Sequence, residues 1–151
     1  MSATQGIYIE APVEKVFDWY KDPQNWLTLN PAGEELTDVH VTPEGLGTFH
    51  VWTIKALPGI RYQCFAVVTE FVPNKRIVAK WSLAIEGTET ATFDAEGSGT
   101  RMTIQTHPRS FWRLWPLGKL VDRFEGQENE RALAKLKEFM EATDAPLKMA
   151  G

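Results

Sequence analysis

The sequence predicts an α+β domain in which a curved, seven-stranded antiparallel sheet wraps around a long C-terminal helix, with two short helices after the first strand. Three observations predict it. Between Glu34 and His107 successive segments alternate apolar and polar residues, and they are divided by the turn sequences PEG, LPG, PNK, EG and EGSG. Connections this short join only antiparallel neighbours, because parallel strands need long crossovers. After Pro116 the apolar spacing becomes helical and stays so to about Ala142.

The elements follow in order. Residues 4–10 alternate, with Ile7 and Ile9 on one side, and form the first strand. Val13, Val16, Phe17 and Tyr20 then fall at i, i+3, i+4 and i+7, one apolar helical face. Pro12 suits the first helical turn and Glu14 the positive end of the helix dipole. Asp22-Pro23 repeats that start signal, with Asp as N-cap, and opens a second short helix carrying Trp26 and Leu27. Six strands are expected at 35–42, 46–56, 60–72, 75–85, 87–95 and 99–107. Residues 110–116 form a short irregular piece before the final helix. Its apolar stripe is Leu117, Leu120, Val121 and Phe124, resuming at Ala132, Leu133, Leu136, Phe139 and Met140, with Glu128 on the stripe between them. Residues 1–144 make a single domain and 145–151 a frayed tail.

Composition narrows the function classes. A net charge of −4 with 16 scattered basic residues offers no basic face for nucleic acid. Cys64 is the only cysteine, so no intramolecular disulfide is possible. The start of the chain lacks a charged and then apolar leader, and no apolar run reaches membrane-spanning length, so a cytoplasmic location is expected. His40, His50 and His107 lack paired metal-ligand spacing, and no nucleotide or dinucleotide fingerprint occurs; neither a metal nor a cofactor is expected. Six Trp and eight Phe in 151 residues either fill a core or line an apolar binding site.

The order strand, two short helices, six-stranded meander and long helix resembles the START/Bet v 1-like (SRPBCC) superfamily, in particular its polyketide cyclase/dehydrase and lipid-transport group. The residues that carry the likeness are Ile7–Phe17, Asp22–Trp26, Gly45–Gly47, Val68–Pro73, Arg76–Trp81 and Gly99–Thr103. The resemblance implies a helix-grip fold with a cavity between the sheet and the last helix. It implies no fixed catalytic motif, since members include enzymes, carriers and regulators of other proteins.

Alternation then assigns the cavity lining. Thr48, His50, Trp52 and Ile54 share one face. In the next strand the more apolar set is Phe65, Val67 and Phe71, which leaves Cys64 with Tyr62 and Ala66 outside. Ile77, Ala79 and Trp81 point inward, as do Glu89, Ala91 and Phe93, and then Met102, Ile104 and Thr106; Arg101 lies outside. Trp26 and the helix residues Leu117, Val121, Phe124 and Glu128 complete the lining. His50 and Glu89 are the candidate acid/base groups, expected within reach of one ligand. The competing readings are an ordinary strand histidine, and a solvated Glu89 beside its hairpin.

Function is expected to be the binding, with transport as its extension, of an apolar or aromatic small molecule such as a lipid, polyketide-like ring or isoprenoid. One alternative is a cyclase/dehydratase-like enzyme that shuttles protons within the cavity. Another is a regulatory interaction module that uses Trp112 and Trp115 as an exposed patch. Both monomer and homodimer remain open.

Overall fold

The structure, a computed structural model, describes residues 3–29, 33–82, 86–108 and 118–142. Strand β1 (Ala3–Ile9) leads into helix α1 (Val13–Tyr20) and helix α2 (Pro23–Leu29). Strands β2 (Gly33–His40), β3 (Phe49–Leu57), β4 (Ile60–Val72), β5 (Arg76–Ser82), β6 (Glu86–Glu96) and β7 (Gly99–Pro108) follow, and helix α3 (Gly118–Ala142) ends the described chain. The strands form one antiparallel sheet in the order β1-β7-β6-β5-β4-β3-β2. Short turns dictate five of those pairings, whereas β1 crosses to the far edge beside β7, with Ile7 opposite Met102.

The predicted starts of the first two helices agree with the observed caps. Pro12 precedes α1 and accepts from Lys15 and Val16 N–H through its carbonyl. Asp22 accepts the Gln24 N–H on its side-chain Oδ1 at 3.0 Å. The α1 face buries Val16, Phe17 and Tyr20 as its spacing requires. On α3 the buried apolar side chains among the described residues are Leu133, Leu136 and Met140, while Phe139, expected in the same stripe, is 38 % exposed and rests on Trp19. Leu117 and the 110–116 segment lie outside the described residues, as do the tail from 143 and the side chains of Trp26, Val121, Phe124 and Glu128.

The core forms where α1 and α3 meet one face of β1, β7, β6 and β5. Ile9, Phe17, Phe93, Met102, Ile104, Leu133, Leu136 and Met140 are its centre. Phe93 meets the Phe17 ring edge-on at 5.2 Å and the Tyr20 ring at 5.5 Å. Polar ties fix α3 to the sheet: Lys137 donates to the Tyr8 carbonyl at 2.9 Å, and Asn129 Nδ2 donates to Thr106 Oγ1 at 2.9 Å. Gly45 (φ 83°) turns the chain before β3, and the Phe71 ring occupies the space its Cβ would fill. No described helix is long and apolar enough to cross a membrane.

Register overturns part of the expected lining. Cys64 pairs with Trp52, and Ala66 with both His50 and Trp81, so these side chains share the helix-facing side. Phe65 and Val67 therefore point to the opposite, outer face. There Phe65 is 43 % exposed and packs on Phe49 at 5.0 Å. The cause is a bulge between Val68 and Glu70, where one extra residue breaks the alternation. Counting back by twos from the inward Phe71 picks the wrong side of β4. Cys64, expected outside, is buried on the inner face.

Candidate functional site

The inner face has two parts. Towards α3 it is filled by the aromatic and aliphatic core just described. Beyond that core the inward positions become small: Cys64, Ala66 and Ala79 are buried, yet the described core cluster does not reach them. Two half-buried tryptophans, Trp52 and Trp81, flank this floor. Gly87 pairs with Trp81, and its missing side chain leaves room for the indole, which a Cβ there would overlap. Glu89 lies two residues further along the same strand and face.

Glu89 is the acid of this region. Tyr20, at the end of the buried α1 face, donates its hydroxyl to Glu89 Oε1 at 2.9 Å. Burial raises the Glu89 carboxyl above its ordinary range, and the Tyr20 hydrogen bond opposes that rise. Burial and the neighbouring carboxylate push the Tyr20 phenol well upward in turn. The same two influences push the Cys64 thiol up to about 12, so it is an inert, protonated group. Glu89 is only half-buried, and its second oxygen makes no hydrogen bond to a described residue. The expectation of a fully solvated hairpin glutamate is thus corrected: Tyr20 holds this carboxyl against the core.

His50 lies on the inner face, 3 % exposed, with its ring stacked on Trp52 at 4.8 Å and 23°. Burial lowers its pKa to about 4, so the ring is neutral at physiological pH. The Trp52 indole Nε1 is buried without a hydrogen-bond acceptor among the described residues. Of the other predicted lining residues, Phe71, Trp81, Phe93, Met102 and Ile104 share the inner face, the last three wholly inside the core. Arg101 lies outside as expected, bonded to Glu96 at 3.1 Å. Among the described residues, no group of three or more His, Cys, Asp or Glu is placed to hold a metal ion.

A groove of about 560 Å³ spans β4 to β7; Phe65, Val67, Lys80, Ser82, Glu86, Thr88 and His107 line it from the outer face, and Trp81 and Gly87, whose register is inward, border it as well.

Sequence reasoning missed Tyr20 as a site residue. The available signal was a hydroxyl on an otherwise apolar helix face, which needs a buried acceptor. It also placed Cys64 and Ala66 on the wrong face, because apolarity was used to choose the inner side of β4, whereas Ala79 on β5 was read correctly as inward.

The sequence model of the polyketide cyclase / dehydrase and lipid transport family matches residues 1–141. The chain belongs to that family. Among solved structures, this family member is similar to TTHA0849 from Thermus thermophilus, with 25 % identity, a TM-score of 0.75, and coverage of 95 % of this chain and 99 % of the other. Protein NE0264 from Nitrosomonas europaea is 16 % identical with a TM-score of 0.72, over 96 % and 97 % of the two chains. A protein from Arthrobacter aurescens is 13 % identical with a TM-score of 0.73, over 93 % and 86 %. The last two likenesses show the shared fold alone. No curated protein matches the chain. Membership supports a hydrophobic ligand-binding fold.

Proposed function

We propose that this protein binds an apolar or aromatic small molecule against the inner face, over the floor of Cys64, Ala66 and Ala79. The observation that carries the reading is the change of side-chain size along one face. Large residues fill the sheet where helices pack on it, and small ones line it between Trp52 and Trp81. A ligand over that floor gains contact with both indoles, and apolar burial stabilises it by roughly 25 cal/mol per Å² before association costs. Glu89 and the Trp52 N–H supply the few polar groups that orient a ligand in such a site.

Native mass spectrometry of freshly purified protein, before and after denaturing extraction, tests the reading. A small apolar molecule released by extraction supports it. A clean unliganded mass, together with no quenching of tryptophan fluorescence by naphthalene-based ligands, refutes it.

One observation favours a second reading, an enzyme of the cyclase or dehydratase kind. The Tyr20–Glu89 pair couples a carboxyl of raised pKa to a phenol, an arrangement able to take and return a proton at an enolisable carbon. Turnover that disappears in Glu89→Gln while binding persists distinguishes it from a carrier.

A further inference from the structure

We propose that Glu89 makes the site selective for an ammonium-bearing ligand, an apolar or aromatic amine, over the corresponding alcohol or acid. The inference rests on the binding reading above and adds the charge of the ligand to it.

Three features carry it. Tyr20 occupies Glu89 Oε1 at 2.9 Å and so fixes the plane of the carboxyl, while Oε2 has no described hydrogen-bond partner and the residue remains half-accessible. None of the described side chains on the inner face is a lysine or arginine: the register places Lys80 and Arg101 outside, and Lys137 is engaged with the Tyr8 carbonyl and Glu141. A carboxylate withdrawn from water without a cation is costly, and a partner that brings the cation recovers that cost. The third feature is aromatic. Trp81 lies across Gly87, next to Glu89 along the same face, and the Tyr20 ring is on the other side. Aromatic faces attract an ammonium, most strongly where water is excluded.

The same geometry works against acids. A fatty carboxylate or phosphate placed on this floor meets the Glu89 charge and no described inward cation, so like-charge repulsion disfavours it. A neutral hydroxyl can still hydrogen-bond to Oε2, but without charge assistance on both sides. The ranking amine, then alcohol, then acid follows.

The experiment uses one hydrocarbon skeleton with three heads: naphthylethylamine, naphthylethanol and naphthylacetate, titrated calorimetrically at neutral pH into the wild-type protein, Glu89→Gln and Tyr20→Phe. The amine is expected to bind the wild type about tenfold or more tightly than the alcohol, with the acid weakest. In Glu89→Gln the amine should fall to the level of the alcohol, whose own affinity changes by less than about threefold. Tyr20→Phe keeps the carboxyl and should keep the preference for amine. Equal binding of amine and alcohol by the wild type, tighter binding of the acid, or an amine preference that survives in Glu89→Gln overturns the inference and leaves the binding reading intact. No binding of any of the three overturns the inference as well, and with a clean unliganded mass it removes the binding reading too. The wild-type ranking decides the matter even if a variant folds poorly.

Discussion

Replacing His50 by Phe should make the protein more resistant to acid, by an amount that the structure sets. The imidazole is 3 % exposed and stacked on Trp52, and burial lowers its pKa from 6.5 to about 4. An unfolded chain protonates this histidine below about pH 6.5, whereas the folded one resists until about pH 4. Between those values the unfolded state binds more protons, so stability falls as pH falls through that window. With a tenfold change in proton affinity worth about 1.36 kcal/mol, the loss attributable to His50 is about 3 kcal/mol, and it is complete near pH 4. Phe preserves a flat ring against Trp52 and does not titrate. Urea unfolding followed by tryptophan fluorescence, at a series of pH values between neutrality and pH 4, gives the free energy of each protein. The difference between wild type and His50→Phe should grow by about 3 kcal/mol across the window, while Glu89 and the other titrating groups cancel because both proteins carry them. A difference that stays constant with pH to within about 0.5 kcal/mol would refute the assignment of His50 as a neutral, buried ring.

Glu89→Gln should show the opposite sign. The folded carboxyl is raised above its unfolded value of 4.5, so the wild type loses stability as pH rises from there through the folded pKa. Gln keeps an acceptor for Tyr20 and removes the charge, so its melting temperature should exceed the wild type's at neutral pH and match it in acid. The register of β4 is checked by comparing two phenylalanines in denaturant unfolding. Phe93→Ala, at 2 % exposure inside the core, should cost about 3–5 kcal/mol, and Phe65→Ala on the outer face about 1 kcal/mol or less. Gly87→Ala should displace the Trp81 indole, shifting the fluorescence spectrum and destabilising the protein by about 1–3 kcal/mol.

The sheet and both short helices were legible because each is encoded locally. Turn residues mark five hairpins, and Asp22 and Pro12 announce helix starts through backbone chemistry that no tertiary contact alters. The edge position of β1 beside β7 was not legible, since no turn encodes it. The site was less legible for two physical reasons. A bulge such as that between Val68 and Glu70 inserts a residue without a strong sequence mark, and a single insertion reverses every side chain before it. Small residues on the inner face also invert the usual guide to burial: Cys64, Ala66 and Ala79 lie inside, while the bulkier Phe65 and Val67 face out. Where the helices pack directly on the sheet, as at Phe93, Met102 and Ile104, bulk and burial coincide, and alternation alone found the inner face.

The pairing of β1 with β7 has a consequence for how the chain is made. Every other strand meets its neighbour across a short loop, so each hairpin can close as soon as it leaves the ribosome. Strand β1 emerges first but finds its partner roughly 90 to 100 residues later, after the rest of the sheet has been synthesised. Until then Ile7 and Ile9 have no strand to cover them, and α1 lacks the β6 and β7 surface on which Phe17 and Tyr20 settle. Closing that long loop is entropically the most demanding step in the topology, which places the slow phase of folding at the seam between the two ends of the sheet. A nascent chain halted before β7 would present an apolar strand and an apolar helix face together, and it is at this stage that a chaperone would find the most to hold.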